Sequence, residues 1–154
     1  MLRYASFDIV FQEIPGEITL ALNLSGCPNR CHGCHSPHLQ QNTGEELTET
    51  SLSNLLNVYK NAVTCICFMG GDGSPEEVLK LAKVVRQFHK KVAWYSGSCH
   101  LYENAHHCFD YIKLGKYIEK LGGLNSPTTN QRFYRIENKT LIDMTSNFRT
   151  QNRV

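Results

Sequence analysis

Cys27, Cys31 and Cys34 stand within eight residues of one another, in the run C-P-N-R-C-H-G-C. Three thiols so close can converge on one inorganic centre. A [4Fe–4S] cluster has four irons, so three cysteines leave one iron open for an exchangeable ligand unless a fourth ligand comes from elsewhere. Electron-transfer ferredoxins use four cysteines and begin C-x2-C-x2-C, a pattern that C-x3-C-x2-C does not match. Zinc competes for the same residues. With His38 the array becomes C-x3-C-x2-C-x3-H, four tetrahedral N/S ligands, and His32 and His35 are further imidazoles within reach in sequence. Both chemistries stay open on spacing alone, with the position of the loop favouring iron–sulfur, because small-molecule chemistry in parallel α/β folds sits at the carboxyl ends of strands. Pro28 and Gly33 suit a loop that turns tightly.

The strand that must carry this loop is Ile18–Leu24, preceded by Phe7–Phe11 and a Pro15-Gly16 turn; both runs are rich in apolar and β-branched residues. Leu52, Leu55, Leu56 and Tyr59 recur at i, i+3, i+4 and i+7 and predict an amphipathic helix, with Thr50 or Ser51 as its cap. Ala62–Met69 reads as a buried strand of the kind parallel sheets use. It ends in Gly70-Gly71-Asp72-Gly73, followed by Ser74-Pro75-Glu76-Glu77, which reads as a capped helix start with Val78, Leu81, Ala82, Val85 and Phe88 as its apolar face. Lys91–Tyr95 and Phe109–Leu114 are the next strands. Arg132–Ile136 and Thr140–Met144 form a short C-terminal hairpin about Glu137-Asn138-Lys139. This alternation predicts α/β with a mostly parallel sheet, one domain over residues 1–154, and a frayed tail from about residue 147. By itself Gly70–Gly73 is an ordinary βα turn. Its place beside the cysteine loop, at the ends of strands of one sheet, makes it a second candidate site.

The 154 residues carry 16 Lys+Arg, 14 Asp+Glu and seven cysteines. An odd cysteine count, without an apolar leader after a basic start, argues against a disulfide framework and for a cytoplasmic protein. No apolar run approaches the roughly 18 residues of a membrane span. Residues 1–79 hold three basic and nine acidic groups, and residues 80–154 hold thirteen basic and five acidic. No aromatic-interleaved basic motif accompanies that excess, so no nucleic-acid role is expected; Lys80, Lys83, Arg86 and Lys90 read as a solvated helix face. Cys65 and Cys67 read as core residues, Cys99 and Cys108 have no partner pattern, and His106-His107 reads as surface.

The cysteine array, set after the first core strand, resembles the radical S-adenosylmethionine (SAM) enzymes. Ser25-Gly26-Cys27, Cys31-x-Gly33-Cys34 and the Gly-Gly-Asp turn, in that order, are similar to the activating proteins of the anaerobic ribonucleoside-triphosphate reductases. Phe7-Asp8-Ile9-Val10, Pro15-Gly16, Trp94-Tyr95-Ser96-Gly97 and Thr129-Asn130-Gln131 extend the similarity over nearly the whole chain. The resemblance implies an incomplete (β/α) barrel and a [4Fe–4S] cluster on Cys27, Cys31 and Cys34. It implies SAM held beside Gly33, Cys34, His35, Gly70, Gly71 and Asp72, with Ser96 towards the nucleoside. It further implies a protein substrate, a glycine of the large reductase subunit, and flavodoxin or ferredoxin as reductant. Two departures stand out: His35 replaces the family's usual Tyr, and Gly73 stands where a Pro often follows Gly-Gly-Asp. Two other functions fit the residues: a radical SAM enzyme acting on a free small molecule, and a Cys3His zinc-binding interaction module.

Overall fold

A computed structural model describes residues 2–26 and 44–151 of the chain. Their order is β1 (Arg3–Val10), β2 (Thr19–Leu24), β3 (Glu45–Glu46), α1 (Glu49–Tyr59), β4 (Cys65–Met69), α2 (Pro75–Gln87), β5 (Lys91–Tyr95), β6 (Tyr111–Leu114), β7 (Arg132–Glu137), β8 (Thr140–Asp143) and α3 (Ser146–Gln151). All eight strands join one open sheet in the order β3-β1-β2-β4-β5-β6-β7-β8. The expected mostly parallel sheet is corrected here. Only β2–β4, β4–β5 and β5–β6 are parallel, and the other four pairings are antiparallel. The physical reason lies in the connections: β1–β2 and β7–β8 are joined by turns too short for a crossover, whereas α1 and α2 carry the chain back between parallel strands. No closed barrel forms among the described residues.

One face of the sheet packs against α1 and α2. Leu20, Leu22, Ile66, Phe68, Val92, Trp94 and Ile112 meet Leu52, Leu56, Val78, Leu81 and Val85 there. The opposite face buries Cys65, Cys67, Ala93, Tyr111 and Phe133 beneath Ile14, from the β1–β2 connection, and Phe148, from α3. In the tail expected to fray from about residue 147, Phe148 packs edge-on against Phe133 with ring centroids 5.0 Å apart, and residues 152–154 lie outside the described residues. A single aromatic in a polar stretch was enough to dock the last helix.

The helix starts differ in detail from the sequence reading. Thr48, not Thr50 or Ser51, caps α1: its hydroxyl accepts from the Ser51 N–H at 3.1 Å, and Ser51 Oγ accepts from the Thr48 N–H at 2.8 Å. Ser74 caps α2 through backbone alone. Glu77, expected to close a capping box, instead accepts the Leu2 N–H at 3.0 Å, and that bond holds its carboxyl below the usual range. The start of the chain is thereby drawn onto α2.

Candidate iron–sulfur and strand-end site

Gly70–Gly73 leaves β4 at the carboxyl end of the parallel strands, where β2 also ends. The two strands are in register there, with Asn23 opposite Met69. Gly70 and Gly71 adopt φ of +102° and +88°, a region that L side chains avoid. At Gly70 a β-carbon would meet only Leu24 O at 3.5 Å and Leu24 Cβ at 3.7 Å, so backbone conformation requires the glycine. At Gly71 it would fall 2.7 Å from Val78 Cγ2 and 2.9 Å from Leu24 Cδ1, so α2 closes on β2 only over bare backbone. A β-carbon at Gly73 would lie 3.7 Å from the Gly26 carbonyl oxygen. Gly26 is the residue before Cys27, so the glycine turn abuts the entry to the cysteine segment.

The end of β5 fixes this turn. The Gly70 N–H donates to Tyr95 O at 2.9 Å, and Trp94 Nε1 donates to Gly70 O at 2.7 Å. Asp72 accepts at both carboxylate oxygens, from Ser96 Oγ at 2.5 Å and from the Gly97 N–H at 2.8 Å. Ser96 is buried, and its Oγ accepts the Ser98 N–H at 3.0 Å.

Across the sheet face opposite the helices, the register aligns Asn23, Met69, Tyr95, Lys113 and Phe133 in one row at this same end. Lys113 is only 8% exposed; its ammonium donates to Gly115 O at 3.0 Å and lies 5.6 Å from the centre of the Tyr95 ring. The Gln131 side-chain amide donates to the same carbonyl at 3.2 Å. The Tyr95 hydroxyl donates to Glu13 O, and burial pushes its pKa well above the ordinary phenol value. Sequence reasoning missed Lys113 as part of this end. The available signal was a lysine inside the apolar run Tyr111–Leu114, two residues from a core tyrosine and therefore on the same face.

Gly70, Gly71 and Asp72 thus sit together at the expected strand end, with Ser96 beside them. Cys27, Cys31, Gly33, Cys34, His35 and His38 lie outside the described residues. Cys65 and Cys67 are fully buried, and desolvation raises both thiols well above their ordinary value; among the described residues no group of three His, Cys, Asp or Glu side chains could hold a metal ion. Cys108 is likewise buried, whereas Cys99 is exposed.

Residues 15–119 match the family described as the 4Fe-4S single cluster domain. The chain belongs to that family. The match covers about two thirds of the sequence, from just before β2 to just beyond β6, and so includes both the cysteine segment and the glycine turn. No curated protein and no solved structure matches the chain. Membership makes this an iron–sulfur protein and favours iron–sulfur over the zinc that the spacing of Cys27, Cys31, Cys34 and His38 had left open. None of the described helices is long and apolar enough to cross a membrane.

Proposed function

We propose that this 4Fe-4S single cluster domain is a radical SAM activase, which generates a glycyl radical on the large subunit of an anaerobic ribonucleoside-triphosphate reductase. The observation that carries the reading is the closeness of the Gly70–Gly73 turn to Gly26, whose carbonyl oxygen lies 3.7 Å from where a Gly73 β-carbon would stand, so that a bare backbone turn neighbours the residue before Cys27. The donor set fits the group: Cys27, Cys31 and Cys34 are the thiolates that would hold three irons, leaving one iron for SAM. Held there, a cluster would supply one-electron reductive cleavage of the SAM sulfonium, the chemistry that would yield methionine and a 5′-deoxyadenosyl radical able to take a hydrogen atom from the substrate glycine. The chain's own residues do the positioning. Gly70 and Gly71 present backbone with no side chain in the way, Gly33, Cys34 and His35 belong to the cysteine side of the site, and Lys113 supplies a buried positive charge at the same end. Phe133, Tyr95 and Ile14 keep the neighbouring face apolar and exclude water. The protein contributes orientation and electrostatics to chemistry that belongs to the cofactors.

An open sheet favours a protein substrate over a free small molecule, since a small molecule calls for a closed pocket with convergent polar groups. The electron would come from flavodoxin or ferredoxin in the cytoplasm. Anaerobic reconstitution with iron and sulfide, followed by SAM and a reductant, tests the reading. The expected results are 5′-deoxyadenosine and, with the reductase subunit present, a glycyl signal in electron paramagnetic resonance (EPR). Cys31→Ala should abolish both. A colourless protein that binds one zinc and no sulfide would overturn the proposal and restore the zinc module.

A further inference from the structure

We infer that Asp72 and Ser96 are positioning residues, a brace through which β5 sets the orientation of the Gly70–Gly71 backbone towards SAM; this rests on the radical SAM reading above. Asp72 sits in the turn that the resemblance places against SAM, and Ser96 where it implies a nucleoside contact. In the structure the two side chains instead face each other. Ser96 Oγ donates to one oxygen of Asp72 at 2.5 Å, while the Gly97 N–H takes the other at 2.8 Å. The brace continues into the next loop, because Ser96 Oγ also accepts from the Ser98 N–H.

Gly70 is held from the same strand at both of its backbone groups, by Tyr95 O and Trp94 Nε1. Gly71 therefore lies between two anchored residues, Gly70 before it and Asp72 after it. Its own carbonyl accepts the Ser74 N–H at 3.0 Å. Two glycines at positive φ have wide conformational freedom, so their peptide planes need outside restraint to be pre-oriented for a ligand. Charge-assisted bonds of the Asp72 kind are the strong ones, and partners that orient a ligating group commonly change affinity by about 10–100-fold when lost.

Ser96→Ala removes the donor to Asp72 and the acceptor for Ser98 together. Asp72→Asn replaces one acceptor oxygen by an amide nitrogen that cannot accept. Ser96→Thr keeps the hydroxyl. The full chain is reconstituted anaerobically, its iron and sulfide are measured, and SAM is titrated against the EPR spectrum of the reduced cluster. Ser96→Ala and Asp72→Asn should keep wild-type cluster content while the apparent Kd for SAM rises about tenfold, with Ser96→Thr within about twofold of wild type. If Asp72→Asn fails to fold, the smaller Ser96→Ala change decides the matter. Unchanged SAM affinity in Ser96→Ala, with only a lowered melting temperature, overturns the brace and leaves the function standing. A wild-type cluster whose spectrum ignores SAM overturns the function itself and the inference with it.

Discussion

Two carboxylates hold the opposite ends of the same parallel strands, and they do different work. At the amino end Glu17, with a side chain 10% exposed, accepts from Thr64 Oγ1 at 2.8 Å and Tyr111 Oη at 2.9 Å, and pairs with Lys91 at 3.3 Å. Its partners come from the start of β4, β5 and β6, so it staples the β1–β2 connection to three strands. At the carboxyl end Asp72 binds one turn to its neighbour, through a hydroxyl and a backbone N–H. Glu17 thus joins elements whose place is already set by a sheet, whereas Asp72 orders a glycine turn that no sheet holds. The same chemical group joins strands at one end and orders a glycine turn at the other.

The largest expected effect breaks the carboxyl end. Gly71→Ala forces a side chain into left-handed backbone and against Val78 and Leu24, and should cost roughly 2–4 kcal/mol in chemical denaturation together with SAM cleavage. Glu17→Ala breaks the other end. Leaving the hydroxyl of the buried Tyr111 without its acceptor should cost about 2 kcal/mol, while SAM cleavage per folded molecule stays near wild type. An equal loss of turnover in Glu17→Ala would erase the distinction between the two ends.

Alkaline pH provides a milder perturbation of the face that joins them. Burial first, and then the neighbouring Glu17 for Cys65 and Tyr111, raises the thiols of Cys65 and Cys67 and the phenols of Tyr95 and Tyr111 above their ordinary values of 9.0 and 10.0. The unfolded chain therefore releases these protons at lower pH than the native chain. Stability is fully present below pH 9 and falls as pH rises through the thiol and phenol range. Denaturation midpoints measured from pH 8 to 10.5 should decline, and less steeply in Cys67→Ala. The smallest effect is a gain far from both ends. Lys139 holds φ of +65° at the β7–β8 turn, beside Asn138 at +49°, so Lys139→Gly should stabilise by about 0.5–1 kcal/mol without altering SAM affinity.

Much of the fold was legible in the residues. The apolar runs marked β1, β2 and β4 to β8, and Leu52, Leu55, Leu56 and Tyr59 marked α1, because burial imposes a period on apolar residues. β3 was not legible: Glu45 and Glu46 are both exposed and too few to show alternation. Thr48 was missed as a cap because Thr50 and Ser51 offer the same chemistry in the same turn. Glu17 looked like any charged residue before a strand, since its three partners lie from 47 to 94 residues away.

By itself the sequence determined what is local: the three-thiol array, the two-glycine turn, the helix periods and the tight hairpin. Each follows from covalent spacing and backbone conformation over a few residues. The tertiary structure alone decided which strands pair parallel and which antiparallel, and that Phe148 covers Phe133. It alone brought Gly73 against Gly26 and placed Lys113 in the row with Tyr95. It also turned Asp72 and Ser96 towards each other. Those relations depend on strand order and register, which bring together residues distant in the chain, and no local pattern encodes a distance between them.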